Sequence, residues 1–467
     1  MEWVNELAIT FVRAVLISFV TLFFSVLLKH VSDRSSAWKQ FLLIIALGTL
    51  TLPGLLIAHG YADILSYFRH PLIPTELMYA GVMIARGWPW CWLMLQLTDH
   101  SEQTDLGIHL LKMSRSVACK PSLRKRFYPY GQWLAKIGPA WCLTVLIVFQ
   151  EFEIASLMNL TNWTVKLFDA QAAGLNWQPT LLWSAVALAL QLLLIIPLIR
   201  SDALRKRHDI ELTQQGASLQ SRWLSPAQSQ RLGASVMVMS LLAILLPVGW
   251  LLSDVIPQWS RITFSSQWRM LGWGMLGNGL IGVCSLLMLW GLHRVTRNSP
   301  SLQKAFLAIG FCGELLLAMF GLGLQVMIPE ALLSTGLPLL SSALITLWIW
   351  PRYWILNQTL QLTLQDSSSH LLQLLQFSSQ QSIKKQAQQQ LWNRSGQQNE
   401  FLLVVLFGWA YTEVLITSVT TSVGYETATV RLYNLMHYGH NVLLTMMCLV
   451  YSLIPFVLFT IIVARRR

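Results

Sequence analysis

The chain has 467 residues, 54% hydrophobic and 12% charged, with a formal net charge of +12 and a mean hydropathy of +0.51. A soluble domain carries roughly a quarter charged residues, so a water-soluble globule is excluded. The apolar residues come in blocks of about 20, the length that crosses a bilayer.

Apolar runs of that length predict spans at 8–28, 41–60, 75–97, 137–158, 180–199, 234–252, 271–293, 305–327, 332–355, 401–420 and 442–464. The expected fold is an all-α polytopic membrane protein of about 11 transmembrane helices. Placing the N-terminus outside puts 24 of the 33 Lys and Arg in the cytoplasmic stretches and the Arg465-Arg466-Arg467 tail, against 4 in the outside loops. Basic residues collect on the cytoplasmic side of membrane proteins, so the C-terminus is expected in the cytoplasm. The positive balance then reflects topology and anionic lipid, and no nucleic-acid partner is needed. The first apolar run lacks a basic leader and cleavage site and reads as a retained helix. A bacterial inner (plasma) membrane is the expected location. The Trp88, Trp90, Trp92 and Trp348, Trp350, Trp354 groups near span ends read as an interfacial aromatic belt.

The chain repeats itself. Thr164-Val165-Lys166-Leu167-Phe168-Asp169, with Gly174 beyond it, matches Thr429-Val430-Arg431-Leu432-Tyr433-Asn434, with Gly439 beyond it, at an offset of 265. Arg86-Gly87-Trp88-Pro89 aligns with Trp348-Ile349-Trp350-Pro351, Gly54 with Gly321 and Glu153 with Glu413, at offsets of 262, 267 and 260. Each unit reads as three helices, a long loop and two helices. The expected organisation is a first repeat over 1–200, a cytoplasmic linker plus connector helix over 201–270 and a second repeat over 271–467. An odd unit would invert the second copy; the connector restores its direction, so the repeats should run parallel.

The sequence has no GxxxxGK[ST], HExxH or GxSxG motif, and the six cysteines show no metal-ligand spacing. No enzyme activity, cofactor or metal is expected. Charges inside apolar runs are costly unless they face a cavity or a partner. Glu314 and Arg86 lie deep in their runs, and Glu153 and Glu413 sit near equivalent helix ends, beside Lys166 and Arg431 of the repeated motif. With Tyr433, these residues are the candidates for a substrate path or a face that receives a partner. Two further readings of the same residues stand: a transport-inactive scaffold or sensor, and an ion-driven transporter. The latter calls for broken helices or midplane carboxylates at matched positions.

Three helices, a long cytoplasmic loop and two helices, duplicated, with Glu153 before Thr164–Phe168 and Glu413 before Thr429–Tyr433, resembles the fused permease subunits of type I ABC importers of the ferric-iron, thiamine and phosphonate branch. The resemblance implies a permease that forms the substrate path of an ATP-driven importer. A separate ATPase dimer would lie on the cytoplasmic side and a solute-binding protein outside. It also implies coupling loops. Glu102, Gly107, His109 and Pro129 mark the first and Asp366 and His370 the second, whose His370-Leu371-Leu372-Gln373 aligns with His109-Leu110-Leu111-Lys112.

Overall fold

A computed structural model describes residues 2–33, 36–68, 72–99, 137–172, 177–200, 226–258, 266–325, 333–364, 381–420, 426–437 and 442–464. The expected coupling-loop residues Glu102, Gly107, His109, Pro129, Asp366 and His370, and the linker over 201–225, lie outside the described residues.

The described chain is helical. It runs through α1 (Glu2–Ser32), α2 (Ser36–Thr51), α3 (Gly54–Ser66), α4 (Leu72–Asp99) and α5 (137–149). The short α6 (Glu153–Leu157) and α7 (Trp163–Ala172) precede α8 (Trp177–Arg200) and α9 (Pro226–Gln258). Then follow α10 (Ser266–Thr296), α11 (Pro300–Phe311), α12 (Glu314–Gln325), α13 (Leu333–Leu364), α14 (Gln381–Thr412), α15 (Leu415–Thr420), α16 (Ala428–His437) and α17 (Val442–Ala464).

Among the described residues, seven helices are long and apolar enough to cross a membrane, or nine if each of two bent pairs counts as one span. The spans expected at 75–97 and 401–420 fall short of that measure, the second because its apolar helix, Asn399–Thr412, is short and ends at a break, the first because it is buried. From Gly87 to Thr98 every residue of α4 is buried among other helices. Such a helix meets side chains rather than lipid and needs less hydropathy. The lipid-type faces lie elsewhere: α1 exposes Val12, Leu16, Phe19 and Phe23, and α10 exposes Trp273, Leu276, Leu280 and Leu287.

Small residues set the closest packing. The buried face of α1 carries Ala14, Ser18, Thr21 and Ser25 at helical spacing, which lets the backbone of α4 approach, as small residues do between membrane helices. A Cβ on Gly87 of α4 would lie 3.2 Å from Thr21. The α10–α13 pair uses the same device: Ser285 donates to the Ser342 carbonyl at 3.2 Å and Thr346 to the Ser285 carbonyl at 3.0 Å. Such hydroxyls satisfy their own helix carbonyls as well, so they are inexpensive to bury. The connector α9 packs on α1, α3 and α4, with Pro247 seated against Gly60, where a Cβ would fall 2.6 Å from the proline ring.

The expected aromatic belt is corrected by burial. Trp88, Trp92, Trp350 and Trp354 are wholly enclosed, and Trp90 and Trp348 nearly so. They flank Pro89 of α4 and Pro351 of α13 and fill the interior. An indole buries 150–250 Å², and the helix pairs leave room for it because their partner faces are small.

Four helices are broken within their apolar runs. Pro53, which lacks an amide hydrogen, ends α2 and starts α3 with a bend of 74°. Gly313, at φ +88°, turns α11 into α12 through 99°; a left-handed backbone of this kind favours glycine. α5 stops before Glu151 and resumes as α6 at Glu153, and α14 stops at Thr412 and resumes as α15 at Leu415.

Candidate functional site

Each break leaves carbonyls at the end of one half-helix and amide hydrogens at the start of the next without intrahelical partners. At two breaks a glutamate takes the amides. Glu151 accepts from Ile154 N at 2.8 Å and Ala155 N at 3.0 Å. Glu413 does the same at the break between α14 and α15, accepting from Ile416 N in a short bond and from Thr417 N at 3.0 Å. A carboxylate three and four residues before its donors is a helix cap that also offsets the partial positive charge of the helix start. This pairs Glu413 with Glu151, where the sequence alignment pairs it with Glu153.

The other two breaks are closed by reciprocal bonds. The Gln150 amide, just past α5, donates to the Phe311 carbonyl at the end of α11 at 2.6 Å, and the Trp409 indole of α14 donates to the Leu50 carbonyl near the end of α2 at 2.6 Å. Replacing Trp409 by phenylalanine removes the donor and leaves a buried carbonyl. An unsatisfied buried group costs about 1–3 kcal/mol, so the variant is expected to melt measurably lower in detergent. A Trp409→Phe protein as stable as the parent would show that this bond adds nothing.

The breaks gather charge. Arg352 of α13 lies 3.9 Å from Glu314, the first residue of α12, while its guanidinium stacks 3.7 Å over the Trp348 ring and donates to the Trp348 carbonyl at 3.0 Å. In α3 the first residue is Gly54, and there the missing side chain makes room. A Cβ on Gly54 would sit 2.5 Å from Glu153 Oε2 and 2.8 Å from Arg86 Nη1. Glu153 lies within electrostatic reach of Glu314, Arg86, Glu151 and Glu413, and Arg352 within reach of Glu314, Arg86, Glu153 and Glu413. These six residues form one cluster. Beside it, Trp90, Gln150, Gly310, Phe311, Trp348 and Arg352 help to line a pocket of about 30 Å³, room for about one water.

Of the residues the sequence singles out, Arg86, Glu153, Glu314 and Glu413 come together. Lys166, Arg431 and Tyr433 sit apart, in the two short helices of the repeated motif. Lys166 pairs with Glu6 at 3.5 Å and Arg431 with Glu426 at 3.7 Å, rather than with the cluster glutamates. The matched aromatic positions meet: Phe168 and Tyr433 contact edge to face at 6.4 Å, and the Tyr433 hydroxyl shares a 2.7 Å bond with Ser156 of α6. The motif threonines anchor both segments. Thr164 donates to the Glu151 carbonyl at 2.8 Å, and Thr429 accepts from Asn278 at 2.8 Å. At the foot of the same helices Asp169 and His437 face one another; burial pushes the Asp169 carboxyl up and the His437 imidazole down, and each opposes the shift of the other.

Sequence reasoning passes over Glu151, Arg352 and Gln150. The 262-residue offset that aligns Pro89 with Pro351 also aligns Glu151 with Glu413, and that signal could have found the cap. Comparison with known proteins gives no match to any family model, any curated protein or any solved structure.

Proposed function

We propose that the chain is a membrane transport protein whose path runs between two related halves, with the charged cluster as its site. One observation carries this reading: the broken helices of α2–α6 and of α11–α15 turn their interrupted ends and their charges toward one another. Interrupted helices and buried ionisable residues mark substrate and ion paths in membrane proteins.

The halves are read as two parallel repeats, α1–α8 and α10–α17, joined by α9. Like positions carry like devices in this reading. α1 packs on α4 as α10 packs on α13, and α3 on α6 as α12 on α15. Thr10 of α1 accepts from Trp163 N at 3.2 Å, as Asn278 of α10 accepts from Ala428 N at 2.8 Å. The contact of Phe168 with Tyr433 brings equivalent positions together, as an axis between the halves requires. The 24 to 4 charge asymmetry then orients the chain with its C-terminus in the cytoplasm of a bacterial inner membrane.

The ion-driven form of this reading fits the cluster best, because carboxylates sit at the breaks of both halves. A second reading, the permease subunit of an ATP-driven importer, is favoured by the parallel order of the repeats. It differs in requiring an ATPase partner that copurifies with the chain and a solute-binding protein outside.

Access to the cluster tests the proposal without a known substrate. In a cysteine-free background, Glu314→Cys and Glu153→Cys are expected to react with a membrane-impermeant thiol reagent applied from either side of the membrane in turn. Reaction from neither side would leave the transport-inactive scaffold or sensor as the better account.

A further inference from the structure

We infer that the cluster at the helix breaks is a proton site, with Glu153 and Glu314 as the residues that take up and release the proton. Its role as the coupling ion rests on the transport reading above; the proton site does not.

The charge count comes first. Glu151, Glu153, Glu314 and Glu413 stand with Arg86 and Arg352 in one largely buried cluster, so carboxylates outnumber guanidiniums by two. Every break presents one carbonyl end and one amide end, and their partial charges offset each other. The excess therefore remains. Uncompensated charge in a low-dielectric interior is expensive, and a positive species must offset it.

Geometry selects the proton. Among the described residues no group of three or more His, Cys, Asp or Glu is arranged to hold a metal ion. Two guanidiniums stand among the carboxylates, where they repel a metal cation. A proton needs no converging ligand set.

Bonding then selects the residues. Both oxygens of Glu151 and both of Glu413 accept backbone amides, bonds that an added proton would disturb. Among the described residues Glu153 makes no hydrogen bond to protein, and Glu314 has one ion pair, with Arg352 at 3.9 Å, beyond hydrogen-bond length. Both keep lone pairs open to an incoming proton. The groups that face Glu153 are Arg86 on α4, Glu314 on α12, Arg352 on α13, Glu151 and Glu413 at the neighbouring breaks, Tyr433 on α16 and Tyr451 on α17. Arg86 Nη1 is buried and has no hydrogen-bond partner among the described residues, and it abuts Gly54 beside Glu153 Oε2. In the step proposed, hydronium gives its proton to a Glu153 oxygen, an O–H bond forms and water leaves. The reverse step restores a carboxylate that closes on Arg86.

Infrared difference spectra of the full chain in nanodiscs, recorded as pH is stepped through neutrality, test this. A protonated-carboxyl band that falls as pH rises is expected in the parent. Glu153→Gln and Glu314→Gln should each remove part of it and the double variant all of it, while Glu426→Gln, at the external ion pair with Arg431, should leave it intact. Because a glutamine variant can misfold, Glu153→Asp and Glu314→Asp are included, and both should keep a titrating band. Absence of such a band, its persistence in the double glutamine variant, or its displacement by sodium or potassium at fixed pH would each overturn the proposal. A band that behaves as expected, together with thiol labelling from neither side, would uphold the proton site and remove the transport reading.

Discussion

Arg352→Leu is expected to destabilise the protein by about 3 kcal/mol, and Glu314→Leu in the same chain to recover most of the loss. Removing one partner of a buried pair strands the other charge, at about 3–5 kcal/mol, whereas replacing both by apolar groups is often neutral. The lower end applies here because 24% of the Arg352 side chain and 19% of Glu314 remain accessible, and the two are 3.9 Å apart. Recovery should be incomplete, since leucine also forfeits the stacking of the guanidinium over Trp348, about 0.5–2 kcal/mol. Denaturation of the single variants and the double variant in one detergent gives the coupling directly. Additive losses would mean that Arg352 and Glu314 do not act as a pair.

How much of this was legible in the sequence depends on the kind of information each feature carries. The helical membrane class follows from hydropathy, and the motif around Thr164 and Thr429 identified two segments that do make contact through Phe168 and Tyr433. The breaks were not read, because hydropathy runs on through them: the stretches around Pro53 and Gly313 are apolar apart from Glu314, and a window as long as a span averages over a bend. Pro53 was a visible signal, since proline removes an amide and constrains the residue before it. Gly313 was not, because its positive φ, which no other described glycine shares, leaves no mark in the sequence. The tryptophans misled for the complementary reason. Their position in an apolar run says that they avoid water, and an interior and a headgroup region satisfy that equally. Glu151 was hidden by its neighbour: Glu153 gave a plausible match to Glu413, and only the bonds to the amides of Ile154 and Ala155 tell which glutamate is the cap. In the two-repeat reading Glu153 takes the part of Glu314, reaching from α6 to the space beside Gly54. No linear alignment pairs residues that occupy matching space from different helices.

Gly54→Ala is expected to leave stability almost unchanged while disabling the cluster. Two effects oppose each other. Alanine is the better helix former by up to about 1 kcal/mol, and overpacking a filled site costs about 1–3 kcal/mol. The new Cβ would lie 2.5 Å from Glu153 Oε2 and 2.8 Å from Arg86 Nη1; both must move, and both are the ends of flexible side chains that can do so. The steric cost therefore falls toward its lower limit, where propensity offsets it. What the shift cannot preserve is the placement of Glu153 Oε2 and Arg86 Nη1 against Gly54, which requires the space the glycine leaves. Gly323→Ala in α12 is the control: no atom lies within 4 Å of its Cβ position, so propensity alone acts and the protein should gain up to about 1 kcal/mol with the cluster untouched. Melting in detergent, alongside the infrared titration of the carboxyl band, separates the two. The expected result is an altered band with an unchanged midpoint for Gly54→Ala, and a raised midpoint with a parental band for Gly323→Ala. A parental band in both variants would mean that the space at Gly54 has no part in the site.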